Sequence, residues 1–191
     1  MKGKVLIGLF FCLAAVQIIT PLAMIRGQEV VLKEGAPFKF KTAPVDPFDA
    51  FRGRYVALRL EQDTVPRPGG LFLSEGQTAY AVLGVDDQGF AVLTDVLTQR
   101  PAGVPYIQAK VNYCAADKIQ LDLGIDRYYM GEKAAPVAER LAWQRLRRGV
   151  RDEQDTYAVV RVKDGRAVLE ALYVAGRPIE DAVREELQKQ T

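Results

Sequence analysis

The sequence predicts an α+β protein, in which a single N-terminal transmembrane helix precedes a largely antiparallel, β-rich domain with one internal helix. Three observations predict this class. Residues 5–25 form a run of 21 residues without a charge. The rest of the chain holds at least six segments that alternate apolar and polar residues, as half-buried strands do. These segments lack the strand–helix–strand alternation that builds parallel sheets.

The uncharged run over residues 5–25 is interpreted as a membrane anchor. A helix of this length rises about 31 Å, which is close to the hydrocarbon thickness of a bilayer. Lys2 and Lys4 precede the run and Arg26 follows it, a bias that places the N-terminus in the cytoplasm. The alternative is a cleaved signal peptide. Its apolar core is shorter, about 7–15 residues, and ends at a small-x-small site, which residues 22–26 do not offer.

The chain therefore divides into five parts. These are an N-terminus over 1–4, an anchor over 5–25, a stalk over 26–35, an exported domain over 36–178 and a C-terminal tail over 179–191. Gly35 is expected to end a helix that continues from the anchor through the stalk. After the three bases that flank the anchor, residues 27–191 hold 23 bases and 24 acids. Such a neutral domain lacks the basic footprint of a nucleic-acid-binding protein.

The exported domain is predicted to consist mainly of strands. They are expected over residues 37–43, 55–61, 78–85, 90–97, 104–113, 118–125, 157–163 and 166–174. Tight-turn sequences at Asp86-Asp87-Gln88-Gly89 and Asp164-Gly165 predict two hairpins. In the strand over 104–113, the side chains expected on one face are Ile107, Ala109, Val111 and Tyr113. An amphipathic helix is predicted over 136–148, and a short polar helix over 180–190 either closes the chain or frays.

The side-chain chemistry that catalysis needs is scarce. Histidine is absent, which excludes Ser-His-Asp and Cys-His catalysis and histidine metal sites. The two cysteines, Cys12 and Cys114, are too few for a thiolate zinc cage, and Ser74 is the only serine. We therefore expect a non-enzymatic protein with no catalytic residue, no metal and no cofactor.

Three sequence blocks follow one another along the chain. They are Gly53-Arg54-Tyr55-Val56-Ala57-Leu58-Arg59-Leu60, then Ile125-Asp126-Arg127-Tyr128-Tyr129 with Glu132 after it, then the Asp164-Gly165 turn with Leu172-Tyr173-Val174-Ala175-Gly176. Their order and spacing resemble the GDYXXLXY family, a group of membrane-anchored bacterial proteins of uncharacterised activity. The family-motif positions in this sequence are Gly53, Arg54, Tyr55, Leu58 and Leu60. Arg54 and Leu60 stand where the family signature has Asp and Tyr.

The resemblance implies an anchored, exported domain. For a bacterial chain with a cytoplasmic N-terminus, this means a single-pass protein of the inner membrane with its C-terminal domain in the periplasm. The resemblance adds no chemistry to this location.

The densest cluster of polar and aromatic residues is the candidate binding site. Its members are Asp126, Arg127, Tyr128, Tyr129 and Glu132. Arginine and tyrosine are enriched at binding hot spots. Two carboxylates can also support acid–base chemistry, but the six-residue spacing between Asp126 and Glu132 fixes no geometry. An ion pair or turn hydrogen bonds are the structural alternative.

Three functions remain open from the sequence. The first is an accessory domain that the anchor holds at the membrane and that binds another envelope protein. The second is a periplasmic module that binds a small molecule or a glycan through residues 127–129. The third is a signal-peptidase-like fold without catalysis, because the loop that would carry its serine nucleophile has none. An open apolar surface beside Tyr128 would favour a protein partner, and a closed pocket there would favour a ligand.

Overall fold

The computed structural model describes residues 2–44, 55–131, 134, 137–138 and 156–189. In this part of the chain the elements are α1 (Lys2–Glu34), β1 (Ala36–Pro44), β2 (Tyr55–Leu60), β3 (Thr64–Pro66), β4 (Thr78–Val85), β5 (Ala91–Leu97), β6 (Tyr106–Cys114), β7 (Lys118–Asp122), β8 (Arg127–Tyr129), β9 (Thr156–Lys163), β10 (Arg166–Val174), β11 (Arg177–Pro178) and α2 (Ile179–Gln188). The predicted α+β class is confirmed. Residues 137 and 138 are helical, and the rest of the helix predicted over 136–148 lies outside the described residues.

The strands form two antiparallel sheets. The first has the order β11-β10-β9-β1-β2-β8, and the second has the order β3-β7-β6-β4-β5. Strand β1 pairs with β9 over residues 36–41 and with β2 over residues 42–44. In the second sheet the edge strands β3 and β5 approach within 8 Å of each other, so this sheet curls back on itself.

One hydrophobic core joins the two sheets. Phe40 of β1, Ile119 of β7 and Ile179 of α2 are each at most 1% exposed and belong to the same packed cluster. The alternation along β1 produces this burial, because Phe40 points inward while Lys39 is exposed. The burial along β1 therefore follows the alternation of apolar and polar residues that predicted a strand over 37–43.

Tyr113 departs from the face predicted for its strand. Ile107, Ala109 and Val111 are buried as expected, but Tyr113 is 51% exposed. The cause is an irregularity in the pairing of β6 with β7, where Val111 lies opposite Leu121 and Tyr113 opposite Gln120. The extra residue, Asn112, shifts the alternation by one and turns Tyr113 outward.

The Asp164-Gly165 turn forms the predicted hairpin and also joins the two sheets. Asp164 has φ 52° and Gly165 has φ 81°, and a two-residue type I′ hairpin turn requires a positive φ at both positions. The Gly165 carbonyl accepts a hydrogen bond of 2.8 Å from the Gln108 amide of β6. A Cβ at residue 165 would lie 2.5 Å from Cε2 of Tyr106, so only glycine allows this close packing.

Helix α1 contains the candidate membrane span. Its large apolar side chains from Ile7 to Ile25 are 57–69% exposed. In length and composition α1 is the one helix among the described residues that could cross a membrane, a test that a signal sequence near the N-terminus also passes.

The C-terminal end of α1 is fixed to the first sheet. Val31 is 2% exposed, and its carbonyl accepts a hydrogen bond of 2.9 Å from the Gly35 amide. Glu34 forms an ion pair with Lys163, and this carboxylate raises the pKa of the Lys163 amine. Arg161 Nη1 donates to the Gly35 carbonyl at 3.2 Å. The stalk predicted over 26–35 is therefore a helix that packs on β9 and β10.

Candidate functional site

Two of the sequence blocks meet at one edge of the first sheet. Edge strand β8 pairs with β2, so that Tyr129 lies opposite Tyr55 and Arg127 lies opposite Ala57. The Leu58 amide donates to the Asp126 carbonyl at 2.8 Å. Two blocks separated by about 70 residues in sequence are thus neighbours in the fold, through backbone pairing that neither block reveals alone.

The family-motif residues that the structure describes lie in the core or in strand β2. Leu58 and Leu60 are 8% and 7% exposed and belong to the core. Tyr55 begins β2. Gly53 and Arg54 lie outside the described residues, as does Glu132 of the candidate cluster.

The charged members of the candidate cluster form an ion pair. Arg127 Nε lies 3.3 Å from Asp126 Oδ2, and both side chains are about half exposed. An exposed pair of this kind contributes little to stability, about 0–1 kcal/mol. The structural alternative for these two residues is therefore realised, while the Asp126–Glu132 carboxylate pair extends beyond the described residues.

A groove opens beside Tyr128. Its walls are the apolar or aromatic side chains of Tyr128, Met130 and Ala134 on one side, and Val183 and Leu187 of α2 on the other. The groove has a volume of about 570 Å³ and is open to solvent rather than enclosed.

Helix α2 builds its wall from an amphipathic pattern. Ile179, Val183 and Leu187 recur every four residues and so lie on one face. Ile179 and Val183 are buried, at 0% and 3% exposure, and Leu187 is half-buried at the groove. The short polar helix predicted over 180–190 is therefore an ordered wall of this groove over residues 179–188.

The rim of the groove carries both signs of charge. Glu180, Arg184 and Gln188 line it together with the apolar walls. Arg184 lies 3.7 Å from Asp181 in an exposed i,i+3 pair. The groove can therefore bind an apolar group between its apolar walls and polar groups at its rim.

Groups suited to covalent or metal chemistry are not brought together in the described residues. No set of three or more His, Cys, Asp and Glu side chains there could hold a metal ion. The Ser74 backbone amide donates to the Gln77 side chain at 3.0 Å, and within the same described part no base is hydrogen-bonded to the Ser74 hydroxyl.

A second cavity lies where the hairpin turn meets β6. It has a volume of about 470 Å³, and its lining includes Arg100, Val104, Tyr106 and Asp164. Two of its lining residues form an exposed ion pair, in which Arg100 Nη2 lies 3.3 Å from Asp164 Oδ1.

The outer face of the first sheet carries an aromatic cluster that the sequence did not reveal. The rings of Tyr157 and Tyr173 stack at 4.7 Å, and Phe90 meets Tyr157 edge-on at 5.9 Å. The ammonium groups of Lys39 and Lys41 lie over Tyr157 and Phe90, at 5.5 and 5.0 Å from the ring centroids.

A β-bulge brings the two tyrosines together. The register of β10 on β9 shifts between Leu169 and Ala171, which leaves Glu170 as the extra residue. Without it, the two-residue turn would place Leu172 opposite Tyr157. The displaced Glu170 carboxylate accepts two hydrogen bonds from Arg161, of 2.7 and 3.0 Å, and raises the pKa of the Arg161 guanidinium.

Burial, together with the neighbouring Tyr173, raises the pKa of the Tyr157 phenol. Both causes disfavour the phenolate. Tyr157 therefore acts as a neutral ring that packs between its neighbours, rather than as a base.

The model of the family described as GDYXXLXY protein matches residues 17–172, which is most of the chain. No curated protein matches it, and no solved structure matches it.

Proposed function

The chain belongs to the GDYXXLXY family, and from this premise we propose that it is a non-enzymatic, single-pass protein of the bacterial inner membrane whose periplasmic domain docks another envelope protein. The observation that carries the docking role is the open apolar groove between Tyr128 and α2. Contiguous apolar surface rimmed by polar residues is typical of protein interaction sites.

The shape and lining of the groove favour an apolar segment of a partner. An apolar groove with a helix, α2, on one side suits the recognition mode in which an amphipathic helix lays its apolar face into a groove. Glu180 and Arg184 at the rim would then pair with polar residues that flank the apolar segment. Such rim charges influence the rate and specificity of association more than its affinity.

A small-molecule or glycan-binding module is the second candidate. The volume of about 570 Å³ falls in the range of ligand sites, roughly 300–1,000 Å³. This function would place the ligand beside Tyr128, with Arg127 at the edge strand as a polar contact. The open form of the groove ranks it below a protein partner.

The mass of the protein isolated from membranes tests whether the anchor is retained or cleaved. Retention of residues 1–25 predicts the full mass of 21.2 kDa. It also predicts that the domain is digested by protease added to spheroplasts, because the domain would face the periplasm. A shorter mass that begins near residue 26 would show a cleaved signal sequence and refute the anchor.

Docking in the groove can be tested by site-specific photocrosslinking in intact membranes. A photoreactive amino acid at Met130 is expected to form one discrete protein adduct. Leu187→Glu should abolish this adduct because it puts a charge into the apolar wall. Val85→Glu is the matched control, since Val85 is an exposed valine on the second sheet, and should leave the adduct unchanged.

The same experiment separates the two candidates. A lipid, glycan or small-molecule adduct at Met130 that Leu187→Glu abolishes would favour the ligand-binding module. Equal adducts in both variants would contradict a role for the groove in either function.

A further inference from the structure

The guanidinium of Arg166, the first residue of β10, lies against α1 at Gly27. A Cβ at residue 27 would lie 2.9 Å from Arg166 Nη1, so a larger residue there would displace this guanidinium. We call residues 163–166 the hairpin tip. The hairpin tip contacts α1 at two places along the helix. Arg166 lies against Gly27, and Lys163 pairs with Glu34.

The contact at Gly27 sets the depth of Arg166 relative to the membrane. Gly27 follows Ile25, the last residue of the uncharged run, by two positions. At a helical rise of about 1.5 Å per residue, it lies about 3 Å beyond the hydrocarbon edge. The headgroup layer extends roughly 5–8 Å from that edge. With the proposed anchor in the bilayer and its hydrocarbon edge at Ile25, the Arg166 guanidinium would lie at the level of the lipid phosphates.

Two cations remain without a carboxylate partner at this level. The bases that are paired are Lys33 with Glu29, Lys163 with Glu34 and Arg100 with Asp164. Within the part of the chain that the structure describes, Arg26 and Arg166 have no such pair, and both are exposed. The end of the span and the hairpin tip together therefore carry a net positive charge.

We propose that the hairpin tip binds the phosphate groups of anionic phospholipids through Arg166, with Arg26 as the second contact. This inference rests on the proposed anchor over residues 5–25. The planar guanidinium matches a phosphate with two hydrogen bonds. Lipid phosphate is the occupant because the anchor holds Arg166 among lipid headgroups, where their local concentration far exceeds that of a free anion. The contact fixes one face of the domain against the membrane.

The test uses the full chain in nanodiscs that contain phosphatidylglycerol and phosphatidylcholine. A phosphatidylglycerol with a photoreactive headgroup is crosslinked, and the labelled peptides are identified by mass spectrometry. Adducts are expected at the hairpin tip. Arg166→Gln should reduce them about fivefold, the contribution of one arginine at an anionic surface. Gly27→Leu keeps the charge but displaces the guanidinium, and should reduce the adducts as well.

Arg177→Gln is the matched control, because Arg177 is an exposed arginine in β11, at the other end of β10. The yield of lipid adducts at the hairpin tip should be the same in Arg177→Gln as in the unaltered chain. The proposal is overturned if Arg166→Gln leaves the adducts at the tip unchanged. It is also overturned if inorganic phosphate at millimolar concentration abolishes them, since the site would then bind a free anion.

A carbonate wash distinguishes this proposal from the anchor on which it rests. The unaltered chain, Arg166→Gln and Gly27→Leu should all stay in the membrane fraction, because the span is intact in each. Release of the unaltered chain would refute the anchor and the lipid contact together. Retention with unchanged adducts in Arg166→Gln would refute the lipid contact alone.

Discussion

At Gly165 both the backbone conformation and the packing oppose a single added methyl group. Its φ of 81° costs any other residue about 1–2 kcal/mol, and a Cβ would also lie 2.5 Å from the Tyr106 ring. Overpacking of this kind costs a further 1–3 kcal/mol or so. Gly165→Ala is therefore expected to lower the free energy of unfolding by about 2–5 kcal/mol in urea titrations of the full chain in detergent.

Gly176 supplies the control for Gly165→Ala. It has a similar φ of 69°, but nothing lies within 4 Å of its Cβ position. Gly176→Ala should therefore show only the backbone cost, about 1–2 kcal/mol. Equal losses in the two variants would mean that the hairpin tip does not pack on Tyr106.

The raised pKa of Tyr157 predicts that the free energy of unfolding falls at alkaline pH. Its native pKa is raised above the ordinary 10.0, so above about pH 10 the unfolded chain releases a proton that the folded protein retains. The free energy of unfolding therefore falls as the pH rises from about 10 toward the native pKa. Tyr157→Phe removes this term, and its stability should fall less than that of the unaltered chain between about pH 9 and pH 11. Parallel losses in urea titrations would contradict the burial of this phenol.

At the residue scale, sequence prediction succeeds where local chemistry decides and fails where a bulge intervenes. Asp164-Gly165 specifies its own turn because both residues tolerate positive φ. Tyr113 and Tyr173 change faces because Asn112 and Glu170 are extra residues in their strands. A bulge depends on the partner strand, so the alternation of one strand does not contain it.

Helix α2 is predicted to be an integral part of the domain. Ile179 is fully buried, and Ile→Ala at such a site costs about 2–5 kcal/mol. Ile179→Ala should therefore lower the urea midpoint and also open the groove wall to solvent. The exposed Gln188 is the control, and Gln188→Ala should change the free energy of unfolding by less than about 0.5 kcal/mol. Indistinguishable variants would mean that α2 frays.

At the element scale, the long strands and hairpins followed from the sequence, whereas the short edge strands did not. β3 and β8 have three residues each, too few to show a period of two. They are strands because their backbones pair with neighbouring strands, β3 with β7 and β8 with β2. β8 carries the candidate site, so the element that positions this site was not visible in the sequence.

The whole domain is expected to unfold in one step, because one core joins both sheets. Phe40→Ala in the first sheet should cost about 3–5 kcal/mol and Ile119→Ala in the second about 2–5 kcal/mol. Both should move the same transition, with circular dichroism and tyrosine fluorescence giving coincident curves. A variant that splits the curves would show that the sheets unfold separately.

At the scale of the molecule, the sequence predicted the residues around Tyr128 but not the groove that they form with α2. The cluster around Tyr128 was found from composition, but its groove needs α2, which follows about 50 residues later. The wall from α2 depends on how β10, β11 and α2 turn back onto the first sheet. Such long-range placement is set by core packing, which no local pattern records.

The junction at Gly35 gives the molecule a mechanical property. One residue separates α1 from β1, and β1 is an inner strand of the six-stranded sheet. The apolar helix and the sheet are therefore joined directly, without a flexible linker, and a tilt of the proposed anchor would move the whole domain. Transmembrane helices tilt by about 20° on average. A tilt of that size would swing a point 30 Å from the junction by about 10 Å, so bilayer thickness would set how far the groove stands from the membrane.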